Sequence, residues 1–173
     1  VTDAAAIQAI KLISNNLRQA VALGTNLEAR ENMAYASLLA GMAFNNANLG
    51  YVHAMAHQLG GLYDMPHGVA NAMLLPHVEK YNLIANPQKF ADIAEFMGEN
   101  IEGLSVMDAA QKAIDAMFRL ASDVGIPARL RDMGVKEEDF EYMAEMALKD
   151  GNAFSNPRKG NEKDIVNIFK AAF

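Results

Sequence analysis

The chain has 173 residues, 51% of them hydrophobic, with a formal net charge of −6 and a pI near 5.2. That is enough apolar residue for one well-packed domain. No basic run and no interleaving of basic with aromatic residues points to nucleic acid. Cysteine is absent, which excludes disulfides and thiolate ligands, fits a cytoplasmic location, and leaves nitrogen and oxygen as the only donors for a metal. No apolar stretch is long enough to cross a bilayer, and nothing at the start resembles a signal peptide.

Thr2 or Asp3 can cap a helix running through Ala9, Ile10, Leu12, Ile13 and Leu17 to about Leu23, with Gly24 as its stop. Asn26 starts a second helix, with Glu28 and Glu31 in early turns where the helix dipole favours them. Its later part, Ala34-Ala36-Ala40-Gly41-Ala43, is rich in small residues that permit close helix packing. Phe44 to Gly50 reads as the end of this helix and a turn. The chain opens at Val1 and not Met, so a piece cut from a longer polypeptide is expected.

The stretch from Gly50 to Val78 holds all four histidines, at His53, His57, His67 and His77. His53 and His57 are four apart, so on a helix they project from one face. Gly60-Gly61 supplies a break where the backbone can turn. Pro66 is placed to open a second helix, with His67 in its first turn. Two helices then converge with His53, His57 and His67 at their meeting point. Converging imidazoles are the usual material of a transition-metal site, although a single histidine on an apolar helix is more often structural. His77, after Pro76, reads as structural.

Asn86-Pro87 marks a boundary, followed by a short helix from Gln88 to Met97 that ends at Gly98. Ser105 with Asp108 resembles a capping box opening a helix to about Val124. Its apolar stripe is Ala113, Ile114, Met117, Phe118 and Leu120. Ala128 to Met133 is a short turn. Lys136-Glu137-Glu138-Asp139 opens a helix through Phe140, Met143, Met146 and Leu148. Gly151 to Gly160 is an irregular loop, and Glu162 to Phe173 a final helix burying Ile165, Ile168 and Phe169. No segment alternates like a strand. The expected fold is all-α, a compact multi-helix bundle of roughly seven to nine helices over residues 1–173.

Several chemistries can be set aside. His-Ala-Met-Ala-His has alanine where zinc peptidases place their glutamate base. There is no Glu-x-x-His pair, no Gly-x-Ser-x-Gly and no Gly-rich phosphate loop after a strand. A mononuclear metal site remains, with His53 and His67 as ligand candidates. His57 is either a third ligand or an acid/base beside the metal, and Asp64 is the nearest carboxylate. Two histidines fall short of the three protein ligands that catalytic sites usually have. The sequence therefore describes half of a coordination shell.

The segment from Gly50 to Val78, with its His-Ala-Met-Ala-His-Gln-Leu-Gly-Gly and trailing His-Gly-Val-Ala-Asn-Ala, resembles the metal-site segment of the iron-dependent (group III) alcohol dehydrogenases. Asn156-Pro157-Arg158 is similar to a tripeptide typical of the same family. The resemblance covers essentially the whole chain and implies the family's C-terminal, all-helical metal-binding domain. A preceding nucleotide-binding domain of the same polypeptide would bind NAD, with a small alcohol or aldehyde as substrate in the cleft between the domains. His53 and His67 match two of the family's metal ligands, with Fe²⁺ as the metal and Zn²⁺ as its alternative. The other two, an Asp and a His four apart upstream, have no counterpart here. His57 matches a histidine placed near the nicotinamide and implicated in the reaction. Homo-oligomerisation is also implied, and the isolated chain is expected to be inactive. Two alternatives are a self-contained helical metal-binding or interaction module, and a zinc-dependent relative resembling glycerol dehydrogenase.

Overall fold

A computed structural model describes all residues, 1–173. It contains eight α-helices and four short 3-10 turns, without a strand. The all-α expectation holds. The helices are α1 (Thr2–Ala22), α2 (Leu27–Ala47), α3 (Tyr51–Tyr63), α4 (His67–Asn82), α5 (Pro87–Phe96), α6 (Val106–Asp123), α7 (Phe140–Lys149) and α8 (Glu162–Ala171). No helix is long and apolar enough to cross a membrane.

The starts follow the cap residues. Asn26 accepts from Ala29 N–H, Asn86 from Lys89 N–H, and Ser105 from Asp108 N–H, each satisfying one of the donors a helix leaves unpaired at its first turn. Asn161 and Asp164 form a reciprocal capping box at α8. At α1 the expectation fails, because Val1 is the cap and no side chain bonds there. Thr2 and Asp3 fall inside the helix, where Asp3 is reached by Lys89.

Gly60-Gly61 does not break the chain as expected. α3 runs through both glycines to Tyr63 and ends where Asp64 adopts a left-handed conformation (φ 50°). The Asp64 N–H bonds Gly60 O at 3.1 Å and the Met65 N–H bonds Leu59 O at 3.4 Å, which satisfies carbonyls the helix would otherwise leave open. A glycine pair weakens a helix without forbidding it, and the buried Leu59 before the pair and the buried Met65 just past the helix end anchor the segment, although Leu62 between them is exposed. Pro66 caps α4 and His67 is its first residue.

The chain divides into two compact units. The first holds Val1–Asn48 and Asn86–Val124, with α1 packed on α2 and α5 on α6. Its interior is largely alanine, including Ala9, Ala29, Ala36, Ala94, Ala110 and Ala113, so these backbones approach closely. The second unit holds Leu49–Ala85 and Gly125–Phe173. It packs α3 against α4 and α7, and α7 against α8. Tyr51, Met55, Leu59, Leu74, Phe140 and Phe169 fill its core. Fully burying such large side chains is worth about 1.5–3 kcal/mol each. This core carries the histidine segment.

Candidate metal centre

α3 buries Val52, Ala54, Met55, Ala56 and Leu59 and turns His53 and His57 away from that core. His53 is half-buried, and His57 and His67 are exposed. The three rings meet as the sequence predicts. Ring centroids lie 5.3 Å apart for His53 and His67, 5.7 Å for His57 and His67, and 6.4 Å for His53 and His57. His77 is not part of this group. It lies further along α4, half-buried, where burial and then Lys80 hold its imidazole below the ordinary range. Asp64 caps α3, and the carboxylate that reaches the rings is instead Asp150.

Asp150 ends α7 and starts the 3-10 turn Gly151–Ser155. Its Oδ1 accepts from the Asn152 backbone N–H and from Asn152 Nδ2, both at 2.8 Å. Its Oδ2 lies 2.7 Å from His57 Nδ1. A carboxylate can only accept, so Nδ1 carries the proton and Nε2 of neutral His57 is the open nitrogen. Burial pushes the Asp150 carboxyl up, but the His57 and Asn152 bonds outweigh it and hold it below the usual range.

Burial is the main cause that lowers the His53 imidazole below the ordinary value. The neighbouring His67 and His57 rings add to it, against the opposite pull of Asp150. The neutral ring that results is the form that binds a metal. The Asn71 amide donates to the His67 backbone oxygen at 2.8 Å and approaches His67 Nε2 at 3.1 Å. The Asn71 Oδ1 is buried without a partner. A metal held by His67 at Nε2 would take the place of this amide contact.

Nitrogen donors on two neighbouring helices fit a borderline transition metal such as Fe²⁺ or Zn²⁺. They do not complete a shell, for no group of three or more His, Asp or Glu side chains is arranged to hold an ion unaided. Sequence reasoning missed Asp150, which lies 93 residues from His57 and carries no local signal. It also gave Asn71 no role, although its four-residue spacing from His67 places both on one helix face.

Residues 1–173 match the C-terminal part of the Fe-containing alcohol dehydrogenase family. The 1,3-propanediol dehydrogenase of Citrobacter freundii is 83% identical over the whole chain, which spans 45% of that protein. The NAD-dependent methanol dehydrogenase of Bacillus methanolicus is 52% identical over 99% of the chain and 45% of its own length. Among solved structures, a 1,3-propanediol oxidoreductase superposes with a TM-score of 0.99 at 81% identity, covering all of this chain and 45% of its own. The chain thus spans just under half the length of these relatives.

Proposed function

As the chain belongs to the Fe-containing alcohol dehydrogenase family, we propose that it is the metal-binding half of an NAD-dependent enzyme interconverting 1,3-propanediol and 3-hydroxypropanal. The observation that carries this is the convergence of His53, His57 and His67 within 5.3–6.4 Å from two helices. The high identity to 1,3-propanediol dehydrogenase supports the substrate, and the NAD dependence of the methanol-oxidising relative supports the cofactor. In this reading residues 1–173 form one all-helical domain. The remaining metal ligands and the nucleotide-binding domain come from the part of the relatives that precedes the match.

His53 and His67 donate ring nitrogens to the metal. When bound, Fe²⁺ supplies Lewis acidity at the alcohol oxygen, and NAD⁺ accepts the hydride. His57 is not a ligand. Asp150 holds it by Nδ1, so its Nε2 is free to receive the hydroxyl proton and pass it outward, or to order the nicotinamide face.

The test uses anaerobically purified full-length protein, assayed for iron by elemental analysis and for NADH formed from 1,3-propanediol. His53→Ala and His67→Ala are each expected to lose iron and turnover together. Unchanged iron in His67→Ala removes that residue from the ligand set, and zinc in place of iron moves the protein to the zinc-using branch. The 173-residue chain alone is expected to bind Fe²⁺ weakly and to turn nothing over.

A further inference from the structure

Asn82 and Asn156 are the two polar residues that the fold buries, at 2% and 3% exposure. They face one another as a paired amide. Asn156 Nδ2 donates to Asn82 Oδ1 at 2.7 Å, and Asn82 Nδ2 donates to Asn156 Oδ1 at 3.2 Å. Asn156 Nδ2 also donates to Arg158 O at 2.7 Å, while its Oδ1 accepts from the backbone N–H of Tyr51 at 3.1 Å. A satisfied buried network of this kind fixes one arrangement of the elements it joins, because every slip leaves a desolvated polar group unpaired.

The elements joined are the two that carry the histidines. Tyr51 is the first residue of α3 and Asn82 the last of α4. The loop around Asn156 is stitched to the same two ends. Ser155 Oγ donates to Leu49 O, and Gly160 N–H donates to the Tyr51 hydroxyl at 2.9 Å. Arg158 donates to Tyr81 O at 2.9 Å and lies over the Tyr81 ring at 3.9 Å. Gly50 explains why nothing larger precedes α3, since a Cβ there would stand 2.8 Å from Asn156 Oδ1. That oxygen is pinned by two donors and cannot give way.

We propose that Asn156 is a positioning residue for the metal centre: by bonding Tyr51 N–H and Asn82, it sets the axial register of α3 and hence where His53 presents its ring. The inference rests on the reading of His53 as a ligand. His53 lies two residues beyond Tyr51, a rise of about 3 Å along the helix, so displacement of the first turn reaches it undamped. Metal–ligand distances tolerate only about 0.2 Å.

The experiment measures Fe²⁺ affinity of the full-length protein by anaerobic equilibrium dialysis, with thermal unfolding of the metal-free form alongside. Asn156→Ala is expected to bind Fe²⁺ about 10–100-fold more weakly while still unfolding cooperatively. Gly50→Ala, which pushes on the same oxygen, is expected to weaken binding in the same direction. The double variant should be no worse than the weaker single one, because removing the Asn156 side chain removes what the new methyl strikes. His53→Ala is the control. If it binds Fe²⁺ as the parent does, the metal reading itself has failed and takes this inference with it. If His53→Ala loses the metal while Asn156→Ala and Gly50→Ala stay within about twofold of the parent, the positioning role is overturned even should their melting temperatures fall. Should Asn156→Ala not fold, Gly50→Ala alone decides the matter by the same twofold criterion.

Discussion

Asp150 divides its two oxygens between a loop and a ring: Oδ1 takes both nitrogens of Asn152, and Oδ2 takes His57. The carboxylate is therefore fixed before it meets the imidazole, and it imposes one tautomer on His57. Asp150→Asn keeps the shape but offers an amide in place of a pure acceptor, so either tautomer of His57 becomes accessible. In the full-length enzyme we expect kcat to fall by about 10–100-fold with iron content unchanged, because neither His53 nor His67 is bonded to Asp150. Loss of iron together with rate would instead make His57 a ligand. The sequence reveals the three histidines because their spacing is local and helical. It conceals Asp150, since nothing in a run such as Leu148-Lys149-Asp150-Gly151 distinguishes a residue that meets His57 from one that ends a helix into solvent. The proposed role of His57, acid/base beside the metal and not a third ligand, rests on family resemblance alone, because a carboxylate on Nδ1 orients a metal-bound imidazole as well as a free one.

At the scale of the element, most starts and stops were legible, but the cap of α1 and the end of α3 beyond Gly60-Gly61 were not. Asn26, Asn86 and Ser105 mark helix starts because a short side-chain acceptor satisfies a first-turn N–H wherever it stands, and Asn161 does the same at α8, where the sequence reading assigns no cap. Gly60-Gly61 misleads because glycine lowers helix propensity without forbidding helix, and the buried Leu59 and Met65 hold the segment on either side. This leaves a glycine in a helix interior with no conformational need for it. Gly61 is exposed, and a Cβ built there meets nothing within 4 Å. Gly61→Ala should therefore stabilise the protein by about 0.5–1 kcal/mol, mostly by restricting the unfolded chain. Chemical denaturation of the metal-free protein checks this. A loss of stability would mean that α3 bends at Gly61 in solution.

For the whole molecule, the helical periodicities establish an all-α chain and nearly every boundary, but not which helices share a core. An amphipathic stripe states that a face is buried without naming its partner. That is why α5 and α6, which follow α4 directly, fall instead in the unit that begins with α1 and α2. The second unit is closed by contacts far apart in sequence, among them Tyr63, whose hydroxyl donates to Asp139 and accepts from Lys136 N–H at 3.0 Å. Burial, then the bond to Asp139, raise the Tyr63 phenol above 10.0. Tyr81 is raised in the same direction, first by burial. A group raised on folding contributes stability that is complete below its unfolded value and is lost as pH climbs through its folded one. Unfolding free energy should therefore be level through neutral pH and decline above about pH 10. Tyr63→Phe should cost about 0.5–1.5 kcal/mol at pH 8, the net worth of a hydrogen bond at a partly exposed site. It should also make the decline above pH 10 shallower, leaving the shares due to Tyr81 and to Lys149, which Glu145 also raises. Urea denaturation of both proteins from pH 7 to 11 measures the two slopes. Parallel declines would show that the Tyr63 phenol ionises in the folded protein as freely as in the unfolded one, and that the tie to Asp139 adds nothing to the second unit.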